Sequence, residues 1–292
     1  MTVRRAVILA AGLGSRLLPA TKALPKEMVP IVDRPLIQYA VEEAVAAGVT
    51  EVVFVVAEGK EAIAEHFAQR GRVARLLAAK GDHAMHEVVE SPAKLATFHF
   101  VDQAQPLGIA HAVACARSYV DGEPFALIFP DDLILGETSV VAQLVQAYGE
   151  STGSLIAVQE VPRHEIPQYG IVDPAGGGNP MALRGLVEKP SIEAAPSNLG
   201  VVGRYILGPT IFRHIDRITP GKNGELQLTD ALAHQLAAGE EVGAFRYTGD
   251  RYDTGRPAGL LIAGIAAGLR RPEIADSLRS RLGSLLTEGG SS

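Results

Sequence analysis

Cysteine is almost missing from this sequence. The single Cys115 excludes an intrachain disulfide framework and any cysteine-clustered metal site. It lies in a run of small residues, 112–116, and reads as a packed, inert core thiol. Long apolar runs are also missing: nothing approaches the roughly 18 residues of a membrane helix, so no membrane partner is expected. Positive charge is not in excess. Lys and Arg number 27 against 33 Asp and Glu, a net of −6. That balance argues against bulk attraction to nucleic acid but permits a local basic pocket. Arg4-Arg5 followed by apolar residues 6–13 could pass for a secretory or twin-arginine signal. The run is too short, however, Arg16, Lys22 and Lys26 follow at once, and no small-residue cleavage pattern closes it. A reducing, cytoplasmic setting is therefore expected. The eight histidines show no metal spacing, and His83 and His86 are expected to be exposed. No internal repeat and no Gly-Lys-Ser/Thr phosphate loop occurs anywhere.

What is present is the balance of an ordinary globular protein: 292 residues, 47% hydrophobic and 21% charged. That length suits one large or two small domains. Residues 6–9 form a short apolar run without alternation, as in a parallel strand buried on both faces. The pattern predicts further strands at 51–56, 125–129 and 154–158. Helices are predicted from Pro35 to Gly48, over 62–67 and over 140–148. Strands alternating with helices predict an α/β fold, a doubly wound, mostly parallel Rossmann-like sheet. Ligands in such sheets sit beyond the carboxyl ends of the strands, which directs attention to the segments after Leu9 and Phe129. Residues 71–92 read as a polar helical insertion. Residues 168–208, punctuated by Gly and Pro, read as an antiparallel addition over the sheet. Pro272 opens a C-terminal helix whose Ile274, Leu278, Leu282 and Leu285 form one apolar stripe, covering either the chain's own core or a partner subunit. The tail 288–292, Glu288-Gly-Gly-Ser-Ser, is expected to be disordered.

The segment Leu9-Ala10-Ala11-Gly12-Leu13-Gly14-Ser15-Arg16 follows a predicted strand. Glycines 12 and 14 let backbone amides approach a ligand closely. A third glycine three residues on would complete a dinucleotide fingerprint, but that position is Leu17. Arg16, Lys22 and Lys26 follow in a stretch broken by Pro19, Pro25 and Pro30, which cannot be one regular helix. A shaped loop of glycine amides, a guanidinium and two ammonium groups suits a polyphosphate; a solvated turn is the plainer alternative. Only 7 of the 27 basic residues are lysine, yet Lys22 and Lys26 both fall here. The pair Asp131-Asp132 after the next strand can hold Mg²⁺ through oxygen ligands, or simply cap a turn. Glu188-Lys189 ends another apolar run. Its carboxylate can accept hydrogen bonds from sugar hydroxyls, with the lysine expected on the opposite strand face.

Residues 11–30, with Pro25-Lys26-Glu27-Met28 at their centre, resemble the signature loop of sugar-nucleotide pyrophosphorylases, in particular the bacterial UTP–glucose-1-phosphate uridylyltransferases. The likeness continues through Pro106-Leu107-Gly108, Pro130-Asp131-Asp132, Val187-Glu188-Lys189-Pro190, Val202-Gly203-Arg204-Tyr205, Gly224 to Asp230 and Tyr252-Asp253-Thr254-Gly255, covering about residues 4–270. Ser15, Ala110 and Thr254 depart mildly from the family pattern, where Thr, Gly and Cys are common; Ala110 is expected to tighten the floor beneath a nucleotide.

The resemblance implies a catalytic domain over 1–270, with a nucleotide-binding part at about 1–160 and a sugar-binding part at about 161–255. Residues 271–292 are then a C-terminal helix and tail, a candidate oligomerisation element. It implies catalytic roles for Arg16, Lys26, Lys189 and Asp131. Nucleotide contacts are implied from Ala11, Gly12, Gly14, Glu27, Gln103, Gly108 and Asp132, with Glu27 and Gln103 reading the uracil edge. Sugar contacts are implied from Gly170, Glu188, Lys189 and Gly203, and magnesium (Mg²⁺) ligation from Asp131 and from Asp253, which matches an aspartate that completes the metal site in the related thymidylyltransferases. The implied reaction joins UTP and glucose 1-phosphate into UDP-glucose and pyrophosphate by direct in-line attack, in a homo-oligomer (dimer or tetramer). A thymidylyltransferase, a uridylyltransferase for another sugar, and a non-catalytic relative are the competing readings.

Overall fold

The computed structural model of the chain describes residues 3–288 apart from 121, 150, 152, 222 and 223. Of the tail 288–292, expected to be disordered, Glu288 instead closes the last helix, and 289–292 lie outside the described residues. The first half alternates strands and helices: β1 (Arg5–Leu9), β2 (Pro30–Ile31), β3 (Arg34–Pro35), α1 (Leu36–Ala46), β4 (Glu51–Val56), α2 (Glu61–His66), α3 (Arg72–Lys80), α4 (His83–Glu90), β5 (Thr97–Asp102), α5 (Ile109–Cys115), α6 (Arg117–Val120), β6 (Phe125–Ile128), β7 (Asp132–Leu135), α7 (Val140–Tyr148) and β8 (Ser154–Glu160). The second half adds β9 (Gly170–Pro174), β10 (Met181–Glu188), β11 (Leu199–Leu207), α8 (Ile211–Ile215), α9 (Leu228–Ala237), β12 (Val242–Arg246), β13 (Asp250–Asp253), α10 (Pro257–Leu269) and α11 (Pro272–Glu288).

Nine of these strands make one twisted sheet in the order β5-β4-β1-β6-β11-β8-β12-β10-β9. β5, β4, β1 and β6 run parallel, as do β8 and β12. β11 is antiparallel to both β6 and β8, and β10 to both β12 and β9. The chain therefore leaves β1 towards β4 and β5, then returns to place β6 on the other side. That reversal opens a crevice at the carboxyl ends of β1 and β6.

Residue alternation on β1 explains the layering. Val7 joins one core with Val113 of α5 and Leu232 of α9, while Ala6 and Ile8 join the opposite core with Ile37 and Val41 of α1 and Leu144 of α7. Each fully buried Val, Leu, Ile or Phe contributes roughly 1.5–3 kcal/mol from leaving water. A smaller cluster of Ile31, Leu36, Leu133, Ala263 and Ala267 seats α10 against the base of the molecule. α11 packs back onto α10 at Gly268, where an added β-carbon would meet Leu278 at 2.9 Å. Ile274 and Leu278 thus cover the chain's own helix, whereas Leu285 and Leu286 stay exposed.

Two expectations change. Residues 168–208 do not form an addition over the sheet. β9 and β10 extend the same sheet at its far edge, and β11 lies at its centre because Val202 to Leu207 are buried on both faces. Cys115 is only half-buried, packed beside the first core, and its thiol is pushed up by burial. His83 is exposed as expected, and His86 is half-buried.

Candidate active site

The loop after β1 is built around Gly14. Its φ of +68° is the left-handed region that glycine adopts without cost, and a β-carbon there would lie 2.9 Å from Cβ of Lys26. The Lys26 side chain therefore runs beneath Gly12 and Gly14, and its Nζ donates to Asp131 Oδ2 at 2.6 Å. This contact joins the ends of β1 and β6. Burial opposes the Lys26 charge, but Asp131 and Glu27 outweigh it and raise its pKa. Burial likewise opposes charge on Asp131, but Lys26 outweighs it and the carboxyl is held below its ordinary range.

Glu27 is not in the cleft. It has no exposed surface, its Oε2 accepts from Lys60 Nζ at 2.7 Å, and the same ammonium donates to the Gly12 carbonyl at 2.8 Å. The expected contact of Glu27 with a base gives way to a strut that holds Gly12 from behind. Burial pushes its carboxyl up despite Lys60, and its Oε1 has no hydrogen-bond partner among the described residues.

A cavity of about 290 Å³ opens in front of this loop, lined by Ala11, Gly12, Lys26, Gln103, Gly108 and Asp131 among others. Gln103 follows β5, and its Nε2 donates to the Gly108 carbonyl at 3.1 Å and meets His111 Nδ1 at 3.1 Å. The Gly108 carbonyl only accepts, so it fixes the amide orientation and leaves Oε1 as the group open to a ligand. Gly108 itself has φ +105°, and a β-carbon there would lie 2.6 Å from the Leu226 carbonyl oxygen. Ala110 is fully buried in the core and does not line the cavity, so the expected tightening of the floor is not seen.

A second cavity of about 500 Å³ adjoins the first at Ile109, Phe129 and Asp131. Arg16, Gly170, Glu188, Lys189, Gly203 and Asp253 all line it. β10 ends at Glu188, and Lys189 takes φ +45°, which non-glycine residues rarely adopt. This kink abolishes strand alternation, so Lys189 does not point to the opposite face. Its Nζ lies 3.1 Å from Glu188 Oε1, and both side chains face one cavity. Thr229 Oγ1 donates to Glu188 Oε2 at 3.0 Å and fixes that carboxylate. Gly170 leaves room for both: a β-carbon there would lie 3.0 Å from Thr229 Cγ2 and 3.2 Å from Glu188 Oε2.

Asp132 lies beside the cleft but is committed to the protein. Its Oδ2 accepts from the Gly203 amide at 2.9 Å, and its Oδ1 accepts from Arg251 Nε at 2.8 Å. Asp131 is anchored through its own carbonyl, which accepts from the Thr254 amide at 2.9 Å and hydroxyl at 2.7 Å. Thr254 therefore does structural duty at the position where the sequence departs from Cys. A β-carbon added at Gly255 would lie 3.1 Å from Asp253 Oδ1, 3.6 Å from Asp131 Oδ2 and 3.8 Å from Arg16 Nη1. Two carboxylates and a guanidinium thus converge on one small volume. No group of three metal-ligating His, Cys, Asp or Glu occurs among the described residues. Two hard oxygen donors beside a phosphate-sized cleft fit a cation that shares its ligands with a polyphosphate.

Sequence reasoning missed Arg251, Arg204, Lys60 and Thr229. Arg251 had a usable signal: it stands two residues before Asp253, hence on the same face of β13. Arg204 lies inside a quoted motif, but its partner Glu43 is 161 residues away.

The family described as Nucleotidyl transferase matches residues 5–266. The UTP–glucose-1-phosphate uridylyltransferase of Bacillus subtilis (strain 168) is 42% identical over 287 residues, 98% of each chain. A UDP-glucose pyrophosphorylase solved in complex with UDP-glucose superposes with a TM-score of 0.83 at 36% identity, over 92% of this chain and 100% of that one. A UTP-bound enzyme of the same kind from Acinetobacter baumannii gives 0.88 at 38% identity, over 96% of this chain and 98% of that one.

Proposed function

The chain belongs to the nucleotidyl transferase family, and from that premise we propose that it transfers uridylyl from UTP to α-D-glucose 1-phosphate, giving UDP-glucose and pyrophosphate. The observation that carries this reading is the meeting of two cavities at Asp131. One is lined by glycine backbone, Lys26 and Gln103; the other by Glu188, Lys189 and Arg16. The first suits a pyrimidine nucleotide and the second a sugar phosphate, with the reacting phosphates at the junction. The division into a nucleotide part at about 1–160 and a sugar part at about 161–255 follows the same line.

The reaction brings two anions together and releases a third, so the protein's task is orientation and charge neutralisation. A phosphate oxygen of glucose 1-phosphate attacks the α-phosphorus of UTP in line, and the bond to the leaving pyrophosphate breaks. Lys189 holds the attacking phosphate, Lys26 the α-phosphate and Arg16 the β,γ-phosphates. Glu188 accepts from glucose hydroxyls beside the Gly170 and Gly203 backbone. Gln103 Oε1 accepts the uracil N3–H, a group that cytosine lacks. No general base is needed, because the attacking phosphate is already ionised near neutral pH. Nucleotidyl transferases generally use a divalent metal. Asp131 and Asp253 are the residues that would hold Mg²⁺, which when bound would neutralise and orient the triphosphate.

Two further assignments accompany this reading. The chain is a homo-oligomer, dimer or tetramer, supported by the uncharged helix α10 with Leu261 67% and Ile262 54% exposed and by Leu286 of α11 at 78%. It works in the cytoplasm, where both phosphorylated substrates are available; no helix among the described residues is long and apolar enough to cross a membrane.

The test is incubation of the purified protein with UTP, glucose 1-phosphate and Mg²⁺, followed by anion-exchange separation of products. Equal amounts of UDP-glucose and pyrophosphate are expected, and chelation by EDTA should stop both. UTP binding without pyrophosphate release would make the chain a non-catalytic relative. Faster turnover with dTTP or another sugar 1-phosphate would move it within the family.

A further inference from the structure

Arg251 occupies a position that neither substrate pocket explains alone. Its side chain is 12% exposed, and β13 aims it across the second cavity between the β6–β7 loop and the start of β9. Nε and Nη2 both donate to Asp132 Oδ1, with Nε at 2.8 Å. Nη1 donates to Tyr169 Oη at 2.9 Å, and the guanidinium carbon lies 5.2 Å from the Tyr169 ring centre. Each end of this bridge is fastened to a catalytic element. Asp132 follows Asp131 directly and accepts from the Gly203 amide. The Tyr169 carbonyl accepts from the Lys189 amide at 3.1 Å, which holds Lys189 in its left-handed turn.

We propose that Arg251 is a positioning residue that sets the spacing between the Asp131 loop and Lys189, and so between the two reacting phosphates. This rests on the reading of the site given above. A flexible contact would not serve: the planar guanidinium is a preorganised fork, and both of its partners are confined. Lysine keeps the charge but cannot hold Asp132 and Tyr169 at once. Tyr169 contributes its ring as well as its hydroxyl, so loss of the hydroxyl alone should loosen the bridge partially.

The experiment measures UDP-glucose formation by wild type, Arg251→Met, Arg251→Lys, Tyr169→Phe and the Arg251→Met/Tyr169→Phe double variant, with KM for each substrate and a thermal melt. In-line reactions lose on the order of 10²-fold when reacting groups shift by about 1 Å. Arg251→Met should therefore lower kcat by ~10²-fold while KM for UTP stays within about threefold. Arg251→Lys should recover less than a tenth of the wild-type rate. Tyr169→Phe should lower kcat about tenfold, and the double variant should be no slower than Arg251→Met. A kcat within threefold of wild type for Arg251→Met or Tyr169→Phe overturns the proposal. So does a loss confined to KM, or effects that multiply in the double variant. If Arg251→Met does not fold, the kcat of Tyr169→Phe decides alone. A wild-type protein that forms no UDP-glucose would instead refute the function on which the proposal rests.

Discussion

Lys26 Nζ lies 2.6 Å from Asp131 Oδ2, although 105 residues separate them. The pair ties the glycine loop after β1 to the end of β6, and it does so at the junction of the two cavities. The ammonium is raised and the carboxyl lowered, each against an opposing effect of burial. A carboxyl lowered below its ordinary 3.8 stabilises the fold above that pH and loses this contribution as pH falls through the lowered value. An ammonium raised above 10.5 stabilises below that pH and loses it as pH rises further. The pair's contribution should be constant across neutral pH. Melting temperatures of wild type and a Lys26→Met/Asp131→Asn double variant, in which both titrating groups are gone, should differ by a fixed amount across that range; a gap that changes between pH 6 and 9 would contradict this assignment.

Asp131→Asn removes the charge of a carboxylate proposed to hold the metal and leaves the Lys26 ammonium without its counter-charge. Turnover should fall on the order of 10²-fold or more, with the circular dichroism of the native protein retained. Steady-state rates at saturating substrate and metal check this, and activity within threefold of wild type would remove Asp131 from the reacting centre.

Gly14→Ala introduces a β-carbon 2.9 Å from Lys26 Cβ at a φ of +68°. The left-handed backbone alone costs about 1–2 kcal/mol, and Lys26 must also shift. Both a lower urea midpoint and a lower kcat are expected. A fall in stability with kcat intact would show that the loop tolerates displacement of Lys26.

Gln103→Leu tests base recognition. Both hydrogens of the Gln103 amide are engaged by Gly108 and His111, so only its oxygen is available to N3–H of uracil. A hydrogen bond of this kind is worth roughly 0.5–1.5 kcal/mol. The preference for UTP over CTP in kcat/KM should therefore shrink by about tenfold, mainly through KM for UTP. An unchanged preference would assign base recognition elsewhere.

Arg204 is 1% exposed and spends its guanidinium on the Glu43 carboxylate and on the carbonyls of Phe129, Gly203 and Asp132. Arg204→Met removes the charged partner of the buried Glu43 carboxylate and one donor from each of three carbonyls; the amides of Val141, Phe129 and Asp132 still donate to Glu43, Gly203 and Phe129. Breaking a buried pair costs about 3–5 kcal/mol, a fall of roughly 10 °C in melting temperature for a chain of this size. Calorimetry that finds less than 2 °C would show that these groups repair themselves with water.

Much of the fold was legible because β1, β4 and β6 are continuous apolar runs and the boundaries of α7 follow its periodicity. The place of β11 was not legible. Its pairing with β6 and β8 joins segments far apart in sequence, and local pattern does not encode that neighbourhood. At the site, the loop glycines, Lys26, Asp131 and Glu188 stood out as residue types suited to phosphates, metal and sugar. The burial of Glu27 did not, since it depends on Lys60, 33 residues on. Nor did the turn at Lys189, because alternation assumes a strand that in fact ends one residue earlier.

The steric course at the α-phosphorus tests the central claim most directly. Turnover of a single diastereomer of UTP carrying sulfur on the α-phosphorus, with glucose 1-phosphate as acceptor, can be followed by phosphorus NMR of the thio-substituted UDP-glucose. Direct attack at the junction of the two cavities requires one displacement and therefore inversion. Retention would mean that a residue of the protein is first uridylylated, and would contradict an account in which Arg16, Lys26, Lys189 and Asp131 only gather and neutralise the two substrates.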